Sequence, residues 1–180
     1  GEVDPQAMAA AFVDLQVRHP ALRTHLTQTH HTAPGEHPIR QVVNPTPQAE
    51  LELAEVAGDD ELAAQRHSLA EVPMRVDRPP LIRGRLVRSA SGRCEVHLVI
   101  HHAICDEWSI ELIGRDLAAC YQRHVTGAPD ALPPIQTTPG VHAERNDRPD
   151  RRAEVAAALC RKQAPQLRFV ILPAQAPGVQ

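Results

Sequence analysis

The sequence predicts an α/β domain in which a mixed sheet is flanked by helices. Segments with a helical repeat alternate with strand-like segments along the chain, and two of those strands are joined by a short turn that requires antiparallel pairing. Apolar residues make up 42% of the 180 residues, which suffices for a hydrophobic core. The length fits one domain, or one lobe of a larger domain.

The first predicted helix begins at Asp4, which is placed to cap it, with Pro5 at the first helical position. The helix must end before Pro20, because proline disfavours helical geometry in the residue that precedes it. An apolar face follows the helical repeat and consists of Met8, Phe12 and Leu15.

Two strands and a second helix are predicted next. Residues 21–28 and 38–44 are strand-like and enclose a polar loop. Residues 59–70 (DDELAAQRHSLA) are typical of a short helix, since their acidic residues stand in the first turn, where they interact favourably with the helix dipole.

A β-hairpin is predicted over LIRGRLVRS (81–89) and RCEVHLVIHH (93–102), which are joined by Ala-Ser-Gly. In the second strand apolar residues alternate with polar ones, which predicts that only one face of the strand is buried. The apolar members are Val96, Leu98 and Ile100, and the polar members are Glu95 and His97.

A third helix is predicted from Glu107 to about His124, with Gly127 and Pro129 ending it. Its apolar stripe consists of Ile110, Ile113, Leu117 and Cys120 or Tyr121. A proline-rich polar segment follows, and then a helix over 151–164 and a last strand over 167–172.

Composition argues against several classes of function. The formal charge of −3 and the aromatic content of 2% disfavour nucleic-acid binding, and no apolar run is long enough for a membrane span. The four cysteines form no C-x-x-C pattern, so we expect a reduced, cytoplasmic protein with neither a disulfide framework nor a zinc site. Four histidines crowd one loop region without a compact metal-binding spacing, so we expect no metal: His25, His30, His31 and His37.

The junction between the hairpin and the third helix carries the candidate site, because two histidines end the strand and an aspartate precedes the helix. In one interpretation Asp106 is only a helix cap, His102 a hydrogen-bonded residue at the strand end, and Trp108 a core anchor. In the other, His102 is presented at the mouth of the sheet for proton transfer and Asp106 braces the turn. Adjacent strand residues face opposite ways, so His101 would be structural.

A resemblance to a known family favours the second interpretation. HHAICDEWS (101–109) resembles the H-H-x-x-x-D-G-W-S signature of condensation domains in nonribosomal peptide synthetases, whose H-x-x-x-D element also marks chloramphenicol acetyltransferase and other CoA-dependent acyltransferases. Three further segments resemble motifs of these domains, in the same order. They are VRHPALRT (17–24), RPPLIRGRLVR (78–88) and LPPIQ (132–136).

The resemblance implies a chloramphenicol-acetyltransferase-like lobe, which is half of a pseudo-dimeric two-lobe domain. Residues 1–131 would form the N-terminal lobe, and residues 132–180 a linker, helix and strand leading to a second lobe. His102 would be catalytic, with Glu107, Trp108 and Ser109 near it. The supporting residues would be His101 and Asp106, with Arg18 and Arg23 as candidate partners of the Asp106 carboxylate.

The reaction that the resemblance implies is amide formation between two thioesters carried on the phosphopantetheine arms of donor and acceptor peptidyl carrier proteins, with no bound cofactor. Two alternatives stay open: a CoA-dependent acyltransferase of the same superfamily, and a non-catalytic module that docks carrier proteins.

Two features depart from the family pattern. Glu107 replaces the glycine that follows the motif aspartate, so its side chain would narrow the tunnel, bind a cationic substrate group, or turn outward as a first-turn helix acid. The chain is also less than half of a usual condensation domain. We therefore expect an isolated lobe to be inactive and to self-associate through the surface that the two lobes would share.

Overall fold

A computed structural model describes residues 3–28, 39–129 and 132–135, and the backbone of residues 168–173. Within this part, a four-stranded sheet has the first and third helices on one face and the second helix on the other. The helices are α1 (Pro5–Arg18), α2 (Asp60–Glu71) and α3 (Glu107–Thr126), with a 3-10 helix at Pro20–Arg23. The strands are β1 (Thr24–Gln28), β2 (Ile39–Val43), β3 (Leu51–Val56), β4 (Ile82–Ser89), β5 (Cys94–Ile100) and β6 (Arg168–Pro173).

The four-stranded sheet is mixed, as predicted, in the order β3-β4-β5-β6. Strands β4 and β5 form the predicted antiparallel hairpin, whereas β3 pairs in parallel with β4 and β6 in parallel with β5. Strands β1 and β2 form a separate antiparallel pair. Strand β6 therefore joins the sheet of the predicted first lobe, while the predicted helix over 151–164 lies outside the described residues and the division at residue 131 stays a prediction.

Helix α1 begins as its sequence predicts. The Asp4 carboxylate accepts hydrogen bonds from the backbone N–H groups of Gln6 and Ala7, and the Asp4 N–H donates to the Tyr121 hydroxyl of α3 at 3.0 Å. The predicted apolar face is fully buried, and it packs with the apolar side of α3 against one face of the sheet. That cap and that core together fix α1 beside α3.

The prediction that β5 has only one buried face is wrong. Glu95 and His97 are 1% and 0% exposed, because α2 covers the face of the sheet on which they lie. The His97 Nε2 lies 2.9 Å from one oxygen of Glu95, and Arg93 donates to the other oxygen at 2.7 Å. The buried Nδ1 of His97 has no hydrogen-bond partner among the described residues. When both faces of a central strand are covered, neither face contacts solvent. Polar residues in such a strand therefore need hydrogen-bond partners nearby.

Helix α3 follows its prediction within two residues and ends at Gly127, whose φ of 67° lies in the left-handed region. Four members of its predicted stripe are buried, namely Ile113, Leu117, Cys120 and Tyr121, but Ile110 is exposed. None of the helices in the described ranges is both long and apolar enough to cross a membrane. Those ranges also contain no group of metal-binding side chains, and His30, His31 and His37 lie outside them.

Candidate active site

The candidate site is the corner between β5 and α3, residues 101–106. Strand β5 ends at Ile100, and the His101 N–H donates to the Leu81 carbonyl at 2.9 Å, which ties the corner to the segment before β4. The chain then turns, with the Ile104 N–H donating to the His101 carbonyl at 3.0 Å. Because His102 lies in this turn and not in β5, its side chain does not point to a buried face of the sheet. It is exposed.

The turn fixes the orientation of the His102 ring. Its Nδ1 lies 2.8 Å from the carbonyl oxygen of Cys105. A carbonyl only accepts hydrogen bonds, so Nδ1 carries the proton, and in the neutral ring Nε2 keeps its lone pair. Nε2 makes no hydrogen bond to any residue that the structure describes. The corner therefore presents a proton acceptor to solvent in one defined tautomer.

His101 has the opposite tautomer and bonds to the backbone of the same turn. Its Nδ1 accepts a hydrogen bond from the Ala103 N–H at 3.0 Å, so Nε2 carries the proton in the neutral ring. The ring is half-buried, and this burial, with the neighbouring His102, lowers the pKa of His101 below its ordinary value. A neutral His101 that accepts from the backbone stabilises the turn from its inner side.

Asp106 caps helix α3. Its carboxylate accepts from the Ser109 N–H at 2.8 Å and from the Ser109 hydroxyl at 2.5 Å, with the backbone extended at φ −109° and ψ 177°. The Ser109 hydroxyl bond holds the pKa of Asp106 below its ordinary value, so the carboxylate is ionised at neutral pH. Asp106 is thus the N-cap of α3, as the first interpretation of the sequence predicted.

The predicted pairing of Asp106 with Arg18 or Arg23 is wrong. The Arg18 Nε donates to the buried Asp116 carboxylate at 2.9 Å, and Arg23 donates to the carbonyls of Gln16 and Asn44. Ten residues of helix separate Asp106 from Asp116, about 15 Å along the axis. The two arginines therefore organise the junction of α1 and α3, whereas Asp106 is satisfied by its own helix.

The other predicted neighbours of the site begin α3. Trp108 is 66% exposed, so the interpretation of it as a core anchor is wrong. Glu107 is also exposed and occupies the first turn, where its charge favours the helix dipole. Cys105 is buried, and burial together with the Asp106 charge raises the pKa of its thiol to about 11, so it is not a thiolate nucleophile.

Asp116, whose side chain is fully buried in α3, was not among the predicted site residues. It accepts from Arg18 and Arg115 and lies 2.9 Å from the His19 Nε2. The signal was present in the sequence, because Asp116 directly precedes Leu117 of the predicted apolar stripe, where an aspartate requires a buried cationic partner. Arg18 and His19 of the VRHPALRT segment supply that partner.

This corner, with an exposed imidazole after a central strand and an aspartate cap four residues later, coincides with a family match. A family model described as "Condensation domain" matches residues 1–154. The chain belongs to the condensation-domain family. The family membership and the fold class predicted from the sequence are therefore confirmed.

Relatives of this condensation-domain chain are large synthetases. It is 33% identical over 144 residues to chondramide synthase cmdD of Chondromyces crocatus, and 30% identical over 140 residues to nonribosomal peptide synthetase dtxS1 of Metarhizium robertsii. These matches cover 76% and 77% of this chain but only 4% and 2% of the relatives. The chain thus corresponds to a small part of each synthetase.

A solved structure supports the fold of the condensation-domain chain. The X-domain from teicoplanin biosynthesis superposes with a TM-score of 0.66 at 23% identity, covering 82% of this chain and 31% of that domain. At this identity the likeness shows the chloramphenicol-acetyltransferase-like fold alone. The chain therefore spans about a third of a solved domain of this fold.

Proposed function

We propose that this chain carries the catalytic histidine of a condensation domain that joins two carrier-bound acyl or aminoacyl thioesters through an amide bond. The proposed catalytic residue is His102, and His101 and Asp106 hold the turn that presents it. One observation carries the proposal: the exposed His102 ring is fixed through Nδ1 by the Cys105 carbonyl, which leaves the Nε2 lone pair available.

The reaction requires a proton acceptor beside the attacking amine. The acceptor amine adds to the thioester carbonyl carbon of the donor, the C–N bond forms, the C–S bond breaks, and the amine proton passes to the departing thiolate. Nε2 of His102 accepts a hydrogen bond from the N–H group of that amine. The same lone pair would serve whether His102 deprotonates the amine or only orients it. The ring is oriented by a backbone carbonyl, since the Asp106 carboxylate is engaged by Ser109.

The proposed partners follow from this chemistry and from the family. The two thioesters are assigned to the phosphopantetheine arms of a donor and an acceptor peptidyl carrier protein. Neither the proton transfer nor the displacement of the thiol calls for a bound cofactor. Glu107 lies beside the corner as an exposed carboxylate, so its charge bears on which substrates reach His102.

A second lobe is proposed to complete the site. Trp108 and Ile110 expose apolar side chains at the start of α3, next to the corner, and a packed lobe would cover them. We expect the 180-residue chain alone to form no amide and to self-associate through this surface. Light scattering tests the second expectation, because the average mass should rise with concentration and should rise less in Trp108→Ser. A constant monomeric mass would contradict it.

The proposed reaction is tested in the full-length protein that carries this sequence, with both carrier proteins loaded. Intact-protein mass spectrometry follows the product thioester on the acceptor carrier. His102→Ala should slow its formation by about 10² to 10⁴-fold, the usual contribution of a positioned acid or base. His67→Ala is the matched control, since His67 is an exposed histidine of α2 that pairs with Glu71 of the same helix at 3.0 Å.

Two results would contradict the proposal in different ways. An unchanged rate in His102→Ala would refute the catalytic role of this histidine. A wild-type protein that binds both carriers but forms no amide would refute the reaction and would favour a docking module.

A further inference from the structure

Ile104, a residue of the corner between β5 and α3, packs against two hydrophobic clusters of the fold. One is the core that α1 and α3 form with one face of the sheet. The other lies where α2 covers the opposite face. The half-buried Ile104 side chain therefore joins the layers on both faces of the sheet, just after β5 ends. The buried members of the second cluster are Leu69, Met74, Leu81 and Val99.

The corner is held at its two ends by hydrogen bonds and near its middle by packing. At the strand end the His101 N–H donates to the Leu81 carbonyl at 2.9 Å, and at the helix end Asp106 caps α3. Between these ends the Ile104 N–H donates to the His101 carbonyl of the same turn, and this bond moves with the turn. Cys105 is buried but small, so Ile104 is the larger side chain that attaches this part of the corner to the body of the fold.

This attachment bears on the ring of His102. Its Nδ1 lies 2.8 Å from the carbonyl oxygen of Cys105, the residue that follows Ile104. A displacement of about 1 Å would carry the two atoms beyond hydrogen-bonding distance. The tautomer of a histidine is set by the hydrogen bond that one of its ring nitrogens makes, so a ring without that bond exchanges between both tautomers. Removing the Ile104 contacts leaves a space into which the corner can move.

We propose that Ile104 is a positioning residue, whose packing against both clusters places the Cys105 carbonyl and thereby keeps the His102 ring in its Nδ1–H tautomer. The side chain acts through the main chain of the residue that follows it. The contribution of Ile104 to catalysis rests on the proposed function, whereas its effect on the ring does not.

The effect on the ring is tested in the 180-residue chain with ¹⁵N-labelled histidine. Long-range ¹H–¹⁵N correlation spectra at about pH 8, above the ordinary pKa of histidine, distinguish the two tautomers. The signals of His102 are those that are missing from His102→Gln. We expect the wild type to carry the His102 proton on Nδ1, and Ile104→Ala to show a mixture of both tautomers. Ile104→Val keeps the branched Cβ and most of the side chain, so it should give the wild-type spectrum.

Leu51→Ala is the matched control. Leu51 is also half-buried and packs against the α1–α3 core, but it lies in β3, an edge strand that does not pair with β5. Its truncation should leave the tautomer of His102 unchanged. A single Nδ1–H tautomer in Ile104→Ala would overturn the proposal, as would the same mixture of tautomers in Leu51→Ala.

A second pair of variants decides the question if Ile104→Ala fails to fold. Threonine has the shape of valine, so Ile104→Thr differs from Ile104→Val only in placing a hydroxyl group against the two clusters. Ile104→Thr should show the mixture of tautomers, and Ile104→Val should not. The Nδ1–H tautomer alone in both variants would overturn the proposal.

The contribution to catalysis is measured in the full-length protein with both carrier proteins loaded. Ile104→Ala should lower kcat by about 10- to 100-fold with KM nearly unchanged, because misplacing a reacting group by about 1 Å can cost that much. Ile104→Val should restore kcat. A wild-type kcat in an Ile104→Ala protein with mixed tautomers would refute the contribution to catalysis. A wild type that forms no amide would refute the proposed function, and the spectra would still decide the role of Ile104 at the ring.

Discussion

Replacing Asp116 by asparagine should be among the most destabilising conservative changes in this lobe. The Asp116 side chain is 0% exposed and its carboxylate lies against Arg18, His19 and Arg115. These bonds outweigh the cost of burial and lower the pKa of Asp116 from 3.8 to about 2. At about 1.4 kcal/mol per pKa unit, that difference is worth about 2.5 kcal/mol.

Asparagine keeps the shape but removes the charge and directs an N–H₂ group toward the cations. Breaking a buried ion pair adds to the loss, so we expect the free energy of unfolding to fall by about 2 to 4 kcal/mol at pH 7. Urea unfolding followed by far-UV circular dichroism measures this directly, with a midpoint lower by about 1 to 2 M. Asp14→Asn is the control, since that aspartate is 30% exposed and its loss should cost about 1 kcal/mol or less.

The pH dependence gives a second check on the same residue. The folded-state pKa lies below that of the unfolded chain, so ionised Asp116 stabilises the fold above about pH 4. This contribution is lost as the pH falls from about 4 to about 2, and the gap between the wild type and Asp116→Asn should narrow over that window. Equal midpoints at pH 7, or a gap as large at pH 2 as at pH 7, would refute the assignment.

Three further predictions concern the sheet and the helix ends. A Cβ on Gly84 would lie 2.9 Å from side-chain atoms of both Leu51 and Phe12, so Gly84→Ala should lower the free energy of unfolding by about 1 to 3 kcal/mol in urea titrations. Gly127→Ala should cost about 1 kcal/mol in the same assay, because its φ of 67° is unfavourable for alanine; no change would show that α3 can end otherwise. Burial is the largest cause that lowers the pKa of His97 below 6.5. The neutral ring therefore contributes to the stability of the fold above that pH, and this contribution is lost as the solution is acidified. His97→Gln should therefore flatten the fall in stability between pH 7 and pH 5, and an unchanged profile would contradict this.

Local signals predicted most of the elements. A cap followed by proline fixed the start of α1, a short turn between two strand-like runs gave the β4–β5 hairpin, and glycine ended α3. Strand β3 was missed. Its sequence LELAEV lies at the edge of the sheet and mixes glutamates with leucines, and its parallel partner β4 begins 26 residues after β3 ends. Parallel strands are not joined by a short turn, so no turn in the sequence predicts their pairing.

The partners of charged residues were harder to predict from the sequence, for a physical reason. Glu95 and His97 were expected at a surface, yet each is the partner of the other inside the sheet. Arg18 was a candidate partner of Asp106, but it donates to the carboxylate of Asp116. Partner choice depends on which helix faces meet, and the packing of α1 on α3 cannot be read from either helix alone.

The corner also explains why an arginine is not needed at Asp106. The carboxylate already accepts two hydrogen bonds from Ser109 at the positive end of a helix dipole, so its charge is stabilised locally. The imidazole of His102 is oriented by the main-chain carbonyl of residue 105, not by a side chain. A side chain at position 105 can therefore vary while the tautomer of His102 is kept, whereas position 106 must supply an acceptor that caps α3. The spacing H-x-x-x-D follows from this geometry. The His102 ring is held by the carbonyl of Cys105, three residues later, and the next residue, Asp106, caps the helix.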